Sequence, residues 1–471
     1  LFDLNSMSIQ MASALTELRE RQSSNGGWPW FPGMRESRHI TQEIVAGFGH
    51  LQTLNAIAVG DDPEIRTMLL SAIQYMDHRI TEDYNELKKR EKFNPSDHYL
   101  TPLQIQYLYA RSFFTNRREV PRQHSEAFEF FREQAKKYWL KSNKHLQGMI
   151  ALALHRMGDR ETPDRILASL REHAVSDEEM GMYWKDNSAG FNWHEAPVET
   201  QALLIEAFAE IGSDMDAVGE MKIWLLKQKQ TQAWGSGKAT ADAVYALLIR
   251  GESWLEGTQP VVATAGDVTV DPQTDPDINT EAGTGYYKTS WQGDEIVPEK
   301  GKVTANNPNK GIAWGAMYWQ YFEDLDKITA GTTELKMDKS LFLVENTASG
   351  PLLKPVEEVT LSPGDEVAVR ITVTVDRDLE YVHLKDMRAA TFEPKDVLSG
   401  YRYRDGLGYY QSTKDASTHF YFDRIPKGTW VLEYRMVATQ SGQFSNGIST
   451  IQSLYAPEFS SHSAGSEVVV E

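Results

Sequence analysis

The sequence contains no cysteine, and that absence closes several routes at once. Without thiols there are no disulfides, no cysteine-bound metal and no thiol nucleophile in the 471 residues. Positive charge is scarce: 48 Lys and Arg stand against 67 Asp and Glu, a formal net charge of -19. Polyanion binding needs a cationic face, so this balance argues against nucleic acid and against electrostatic docking on anionic lipid. No apolar run approaches the roughly 18 residues of a membrane span. The chain opens on Leu1 with neither a start methionine nor a signal-like apolar segment, so a trimmed piece of a longer protein is expected. The remaining composition is that of a globular chain, 41% hydrophobic and 24% charged, with 471 residues sufficient for about three domains.

Against that background one stretch stands out, Asn25-Gly26-Gly27-Trp28-Pro29-Trp30-Phe31-Pro32-Gly33, set before a helical pattern from about Ser37 to Leu54. The glycines permit the positive backbone angles of a tight turn, and Pro29 and Pro32 forbid helix continuation. Similar aromatic turns follow at Gly190–Pro197 and Gln232–Gly237, each ahead of an apolar helix carrying an early threonine, Thr200 or Thr240. This reads as a structural repeat.

Helical periodicity continues nearly to Trp254. Helices are expected over Met7–Leu18, Glu64–Tyr84, Ala127–Leu140, Leu146–Met157 closed by Gly158, Met221–Lys229 and Ala239–Ile249 stopped by Gly251. Thr101-Pro102 reads as an N-cap followed by a first-turn proline, and Glu199–Ile211 as a helix ending on a left-handed Gly212. Short connections pack successive helices antiparallel, and the aromatic turns favour closing the hairpins into an α/α toroid. Near Gly257 the pattern changes: Val261-Val262 and Val268-Thr269-Val270 surround an acidic loop, Asp271–Glu281. Tyr286–Trp291 and Ile312–Tyr321 read as strands. From about Lys327 the signal is β, with Val367, Val369, Ile371, Val373 and Val375 on one buried face. His419–Asp423 and Thr429–Ala438 read as a hairpin turned by Ile425-Pro426-Lys427-Gly428. The fold class is therefore multidomain α and β: an α/α toroid of terpenoid-cyclase-like helical hairpins over residues 1–256, a β connector over 257–326, and an antiparallel β-sandwich over 327–471.

The short motifs fail on detail. Gly235-Ser236-Gly237-Lys238-Ala239-Thr240 resembles a phosphate loop, but Ala239 fills the Ser/Thr position and a helix precedes it. His194-Glu195-Ala196-Pro197-Val198 begins like a zinc-protease helix and lacks the second histidine. Asp275-Pro276-Asp277-Ile278-Asn279 has the rhythm of a calcium loop, with Thr280 and Tyr286 in the places of its glycine and final glutamate. Glu43, Glu195, Glu199 and Asp242, beside Trp28, Trp30, Trp193 and Trp234, could line a sugar cleft with an acid/base pair. The simpler reading places them in first helical turns, where the dipole favours anions. His39, His98 and His155 read as packed or rim residues. No residue receives a catalytic, cofactor or metal role.

The run Phe420-Tyr421-Phe422-Asp423-Arg424-Ile425-Pro426-Lys427-Gly428-Thr429-Trp430, continuing through Gly442-Gln443-Phe444, Leu454-Tyr455-Ala456-Pro457-Glu458 and Ser463-Ala464-Gly465, resembles the last domain of bacterial α2-macroglobulin-like proteins. The helical part, with Gly26–Phe31 and Lys238–Ala243, resembles that family's thioester domain, and the connector holds a CUB-like position. The resemblance implies a secreted or periplasmic endopeptidase inhibitor, with a lipid anchor outside this chain, that entraps target proteases after bait cleavage. Its partners would be those proteases and upstream macroglobulin domains. In many members a Cys–Gln thioester couples to the protease; here no cysteine exists, so the thioester lies upstream of Leu1 or the member lacks one. The resemblance implies no enzymatic activity for this chain. A carbohydrate-binding or carbohydrate-active toroid and a structural or adhesin scaffold remain the alternatives.

Overall fold

The computed structural model describes residues 4–56, 62–249, 259–280, 285–309, 313, 315–331, 333 and 335–471. Expectations touching Gly251, the 256/257 boundary, Glu281, Ile312 and Trp314 lie outside the described residues. Contacts divide the chain into two compact units, Leu1–Leu225 with Gly235–Trp314, and Leu226–Trp234 with Gly315–Glu471.

The helices are α1 (Leu4–Arg21), α2 (Arg38–Thr53), α3 (Pro63–Lys88), α4 (Pro102–Ser112), α5 (Arg122–Tyr138), α6 (Lys144–Arg156), α7 (Glu161–Glu172), α8 (Pro197–Ala207), α9 (Met215–Thr231) and α10 (Gly237–Leu248). Several of their starts are written locally, because a capping side chain satisfies otherwise unpaired N–H groups there, whereas α5 and α8 begin after Pro121 and Ala196 without one. Ser37 accepts from the Ile40 amide, Asp62 from Glu64 and Ile65, Asn143 from Leu146 and Ser236 from Ala239. Thr101 opens α4 as expected: the Gln104 carboxamide accepts its amide at 2.9 Å and Pro102 follows. α7 has no counterpart among the expectations; it buries Ile166, Leu167 and Leu170. The left-handed residue after α8 is Ser213, with φ 50°, and not Gly212, because a π-helical turn over Phe208–Gly212 moves the stop one residue on. α2, α4, α6, α8 and α10 contact one another in succession, while α3, α5 and α7 lean against them.

Short strands punctuate these helices: β1 (Trp28–Pro29) pairs with β2 (Glu36–Ser37), and β3 (Val175–Asp177) with β4 (Gly181–Tyr183). At Gly26, φ is 92° and a Cβ would stand 2.2 Å from the Ser71 carbonyl oxygen, so the turn before β1 requires glycine. β5 (Val262–Ala265) lies between β6 (Val268–Val270) and β7 (Val303–Asn306). The strands expected over 286–291 and 312–321 are not formed at the described positions. Aromatic residues give those stretches strand propensity, but Tyr286, Tyr318 and Tyr321 stand exposed, and among the described residues no strand pairs with these stretches.

The second unit contains β8 (Leu335–Thr347), β9 (Gly350–Pro355), β10 (Glu366–Val375), β11 (Leu379–Met387), β12 (Phe392–Pro394), β13 (Gly400–Arg404), β14 (Leu407–Thr413), β15 (Ser417–Ile425), β16 (Gly428–Ala438), β17 (Gly442–Asn446), β18 (Ser449–Ser453), β19 (Ser460–His462) and β20 (Ser466–Val470). They form a five-stranded sheet, β12-β16-β10-β8-β9, a six-stranded sheet, β13-β14-β15-β11-β18-β19, and the pair β17-β20. Both large sheets supply one core, in which the five alternate residues of β10 are at most 2% exposed. The expected hairpin through Pro426 is corrected: β15 pairs with β11 and β14, β16 with β10 and β12, so the turn carries the chain from one sheet to the other. Alternation fixes each strand's buried face and says nothing about which sheet it joins.

Candidate functional site

In the helical unit, polar side chains recur at helical spacing along the mutually facing helices. α2 carries His39, Gln42, Glu43 and His50; α4 carries Gln106 and Tyr109; α6 carries His145 and Arg156. Glu206 and Glu210 come from α8 and the π turn, and Lys238, Asp242 and Tyr245 from α10. Intervals of three, four, seven or eleven residues return a helix to the same side, so these groups converge.

They form two groups. In the first, Gln42 donates to Gln106 at 2.8 Å, Gln106 donates to Glu43 at 2.6 Å, and His39 Nδ1 lies 3.1 Å from Gln106. Lys238 Nζ sits 3.2 Å from Glu43 and 2.5 Å from Asp242. Burial opposes the Lys238 charge, but the two carboxylates outweigh it and hold its pKa above the ordinary lysine value. Burial raises the Asp242 carboxyl despite Lys238 beside it.

In the second group Glu206, 1% exposed, accepts from Tyr109 at 2.6 Å, Tyr245 at 2.8 Å and Arg156 at 2.7 Å. Arg156 also grips Glu210 at 2.9 and 2.6 Å. His50 Nε2 is 2.8 Å from the Tyr109 hydroxyl, and its ring stacks on Tyr245 at 3.8 Å. Burial alone would raise Glu206; Arg156, His50 and the two hydroxyls hold it below the usual carboxylate value. Burial pushes His50 below the ordinary histidine value against the pull of Glu206. Each charge is paired with its neighbours, so the group forms one buried hydrogen-bond network.

The expected acidic residues part company here. Glu43 and Asp242 do meet, through Lys238, and both lie beyond the first helical turn, so the dipole account fails for them. Glu199 does lie in a first turn, and Glu195 accepts from the Asn192 amide and side chain, each at 2.9 Å, closing its own loop. Trp30, His39 and Trp193 assemble in line, with ring centroids 6.1 and 4.9 Å apart, and His145 meets Trp193 at 5.7 Å. His39 is therefore a member of a cluster, whereas His98 packs on Tyr138 at 4.8 Å. His155 lines a cavity of about 550 Å³ with Thr53, Leu54, Glu210, Leu248 and Ile249. Trp28 does not line a cleft: 2% exposed, it is packed in the core and donates its indole N–H to Leu18 at 2.7 Å. Its structural counterpart is Trp184, which donates to Leu170 at 2.8 Å, and not Trp193. Trp234 belongs to the second unit. His50, Arg156 and Glu206 were missed, though a lone glutamate inside Ala202-Leu203-Leu204-Ile205-Glu206-Ala207-Phe208 was a signal available in the sequence. Among the described residues no group of three or more His, Asp or Glu could hold a metal ion.

In the second unit, the solvent side of the six-stranded sheet carries a cross-strand row, Tyr401–Tyr410–Tyr421–His383–Gln452, fixed by register. His383 and Tyr421 stack at 4.7 Å, and Tyr401 meets Tyr410 edge-on at 5.1 Å.

Residues 335–458 match the family described as the bacterial alpha-2-macroglobulin MG10 domain, a match that starts where β8 starts. The resemblance read in the C-terminal motifs is borne out there. Among solved structures, Escherichia coli alpha-2-macroglobulin activated by porcine elastase is 14% identical, with 97% of this chain and 38% of that chain covered and a TM-score of 0.41. The trypsin-activated protein of the same organism is 12% identical, covered over 97% and 29%, with a TM-score of 0.43. A native Escherichia coli piece from domain MG7 to the C-terminus is 12% identical, covered over 97% and 67%, with a TM-score of 0.32. The chain thus spans 38% or less of the first two proteins. No curated protein matches it in sequence.

Proposed function

With residues 335–458 matching the MG10 family, we propose that this chain is the C-terminal portion of a bacterial α2-macroglobulin-like endopeptidase inhibitor, working by conformational change and without enzymatic activity of its own. The MG10 match is the observation that carries the reading. The ring-like order of α2, α4, α6, α8 and α10, with the Lys238–Glu43 pair and the His50–Tyr245 stack joining the last helix to the first, supports an α/α toroid over 1–256. The β6-β5-β7 sheet supports a connector over 257–326, followed by the sandwich over 327–471.

In this proposal the parts are mechanical. The 471 residues hold no cysteine, so none of them supplies a thioester sulfur. Bait cleavage elsewhere in the intact protein would release packing among its domains, and modest interdomain faces shift for a few kcal/mol. The expected setting is periplasmic or extracellular. To test this, the full-length protein is mixed with a broad-specificity protease. Bait nicking should change the hydrodynamic radius and reduce cleavage of large substrates; an unchanged radius with undiminished proteolysis would remove the inhibitor reading.

A further inference from the structure

The outer face of the six-stranded sheet has a gap that the family match does not explain. Gly408 on β14 faces solvent between Tyr403 on β13 and Tyr421 on β15, because Tyr403 is opposite Gly408 and Tyr421 is opposite its neighbour on that face, Tyr410. With no side chain at Gly408, the two tyrosines border a cavity of about 370 Å³ that Asp423 also lines. Tyr403 is 78% exposed and Tyr421 43%. Tyr403 and Tyr421 stand two strands apart and two residues out of register, a backbone diagonal of about 12 Å. Rings inclined toward each other across Gly408 could then admit a planar group, which needs roughly 7 Å between two rings.

Charge selects what fits. Asp423 has no hydrogen-bond or ion-pair partner among the described residues. The nearby arginines are directed elsewhere: Arg402 pairs with Asp396 at 2.6 Å, and Arg404 reaches the Glu433 carbonyl at 3.5 Å. One face of Tyr421 is covered by His383 at 4.7 Å, and Tyr410, the residue opposite Tyr421, is engaged edge-on with Tyr401 at 5.1 Å. Two aromatic walls beside an unpaired carboxylate suit a flat, weakly hydrated cation with forked donors.

We propose that the Gly408 gap is a receptor for an arginine side chain of a partner polypeptide, its guanidinium stacked between Tyr403 and Tyr421 and hydrogen-bonded to Asp423. The whole chain is titrated with N-acetyl-arginine methylamide while the Gly408 and Tyr421 amides are followed by NMR. Saturable shifts at both are expected, with the neutral citrulline analogue and the lysine analogue each about tenfold weaker. Asp423→Asn should erase the preference for arginine over citrulline. Gly408→Val should block binding without lowering the melting temperature, because a Cβ there meets only Tyr403, at 3.6 Å. Equal binding of citrulline or lysine, or binding that survives both substitutions, overturns the proposal.

Discussion

The two units organise their interiors differently. The sandwich core is mainly aliphatic and aromatic, built from Val367, Val369, Ile371, Leu384, Phe420, Phe422 and Leu432, with one buried ion pair, Lys339–Asp386 at 2.7 Å. The helical unit instead keeps Glu206, Arg156, His50, Tyr109 and Tyr245 in mutual contact where its helices converge. Hydrophobic burial is non-directional and tolerates repacking, whereas buried charge tolerates only the geometry that satisfies it. The difference is one of extent: the sandwich satisfies one buried carboxylate, Asp386, through Lys339, Tyr434 and Ser449, whereas the helical unit links two carboxylates, Glu206 and Glu210, through Arg156 across several helices.

The most damaging way to break that contrast is Arg156→Leu, which leaves Glu206 and Glu210 without their shared cation. A loss of about 3–5 kcal/mol is expected in the helical unit, read by hydrogen exchange of α6 and α8, with the sandwich unaffected. Ile371→Ala, at a residue 0% exposed, should cost a similar 2–5 kcal/mol, roughly, in the sandwich alone. The two differ in acid. Protonating the paired carboxylates relieves the Arg156→Leu penalty, while the Ile371→Ala penalty is independent of pH.

Both units carry histidines that burial holds below the ordinary value, His383 and His419 on the sandwich and His50 and His145 in the helical unit, so both should respond to acid. Burial holds His50 and His145 below the ordinary histidine value of 6.5, so the stability tied to their neutral forms is present above 6.5 and is lost as pH falls below it. Glu206, held below 4.5, adds a loss at still lower pH. Asp242 works in the opposite sense, since its raised pKa favours the folded state in acid. Glu206, Asp242, Arg156 and Lys238 are the charges acting on His50. The helical unit should therefore lose protection between pH 7 and 5, and His50→Gln should flatten that slope. A slope unchanged by His50→Gln would assign the acid response to other groups.

How far the sequence foretold all this depends on the range of each interaction. N-caps such as Thr101 and the alternation in β10 are local, and both were legible. The sheet change at Pro426 and the equivalence of Trp28 with Trp184 depend on partners far along the chain. Local aromatic grammar pointed to Trp193 instead. The carboxylates Glu43 and Asp242 were noticed but given the wrong reason, because the Lys238 that joins them lies 195 residues from Glu43 (238 − 43). Glu206 went unnoticed, although a charge inside an apolar helix needs a partner wherever that partner lies.

That equivalence is itself testable. Trp28→Phe and Trp184→Phe each remove one indole donor from a buried site and leave a helix carbonyl, Leu18 or Leu170, without it. Each should cost about 1–3 kcal/mol. If the two corners are structural repeats, the losses should match and be additive. A large loss at Trp28 with none at Trp184 would show that only the first corner anchors its helix.

The smallest expected effect sharpens the contrast from the other side. Lys354 and Glu345 pair at 2.6 Å across β8 and β9, but both side chains are over 40% exposed. Water already screens them, and fixing two long side chains costs entropy, so Lys354→Ala should change the sandwich by less than about 1 kcal/mol. The separation resembles those around Arg156, and the difference lies in the surroundings: a water-facing pair can exchange its partner for solvent, and a buried one cannot. If Lys354→Ala proved as costly as Arg156→Leu, contact distance and not burial would set the scale, and the division between the two interiors would lose its physical basis.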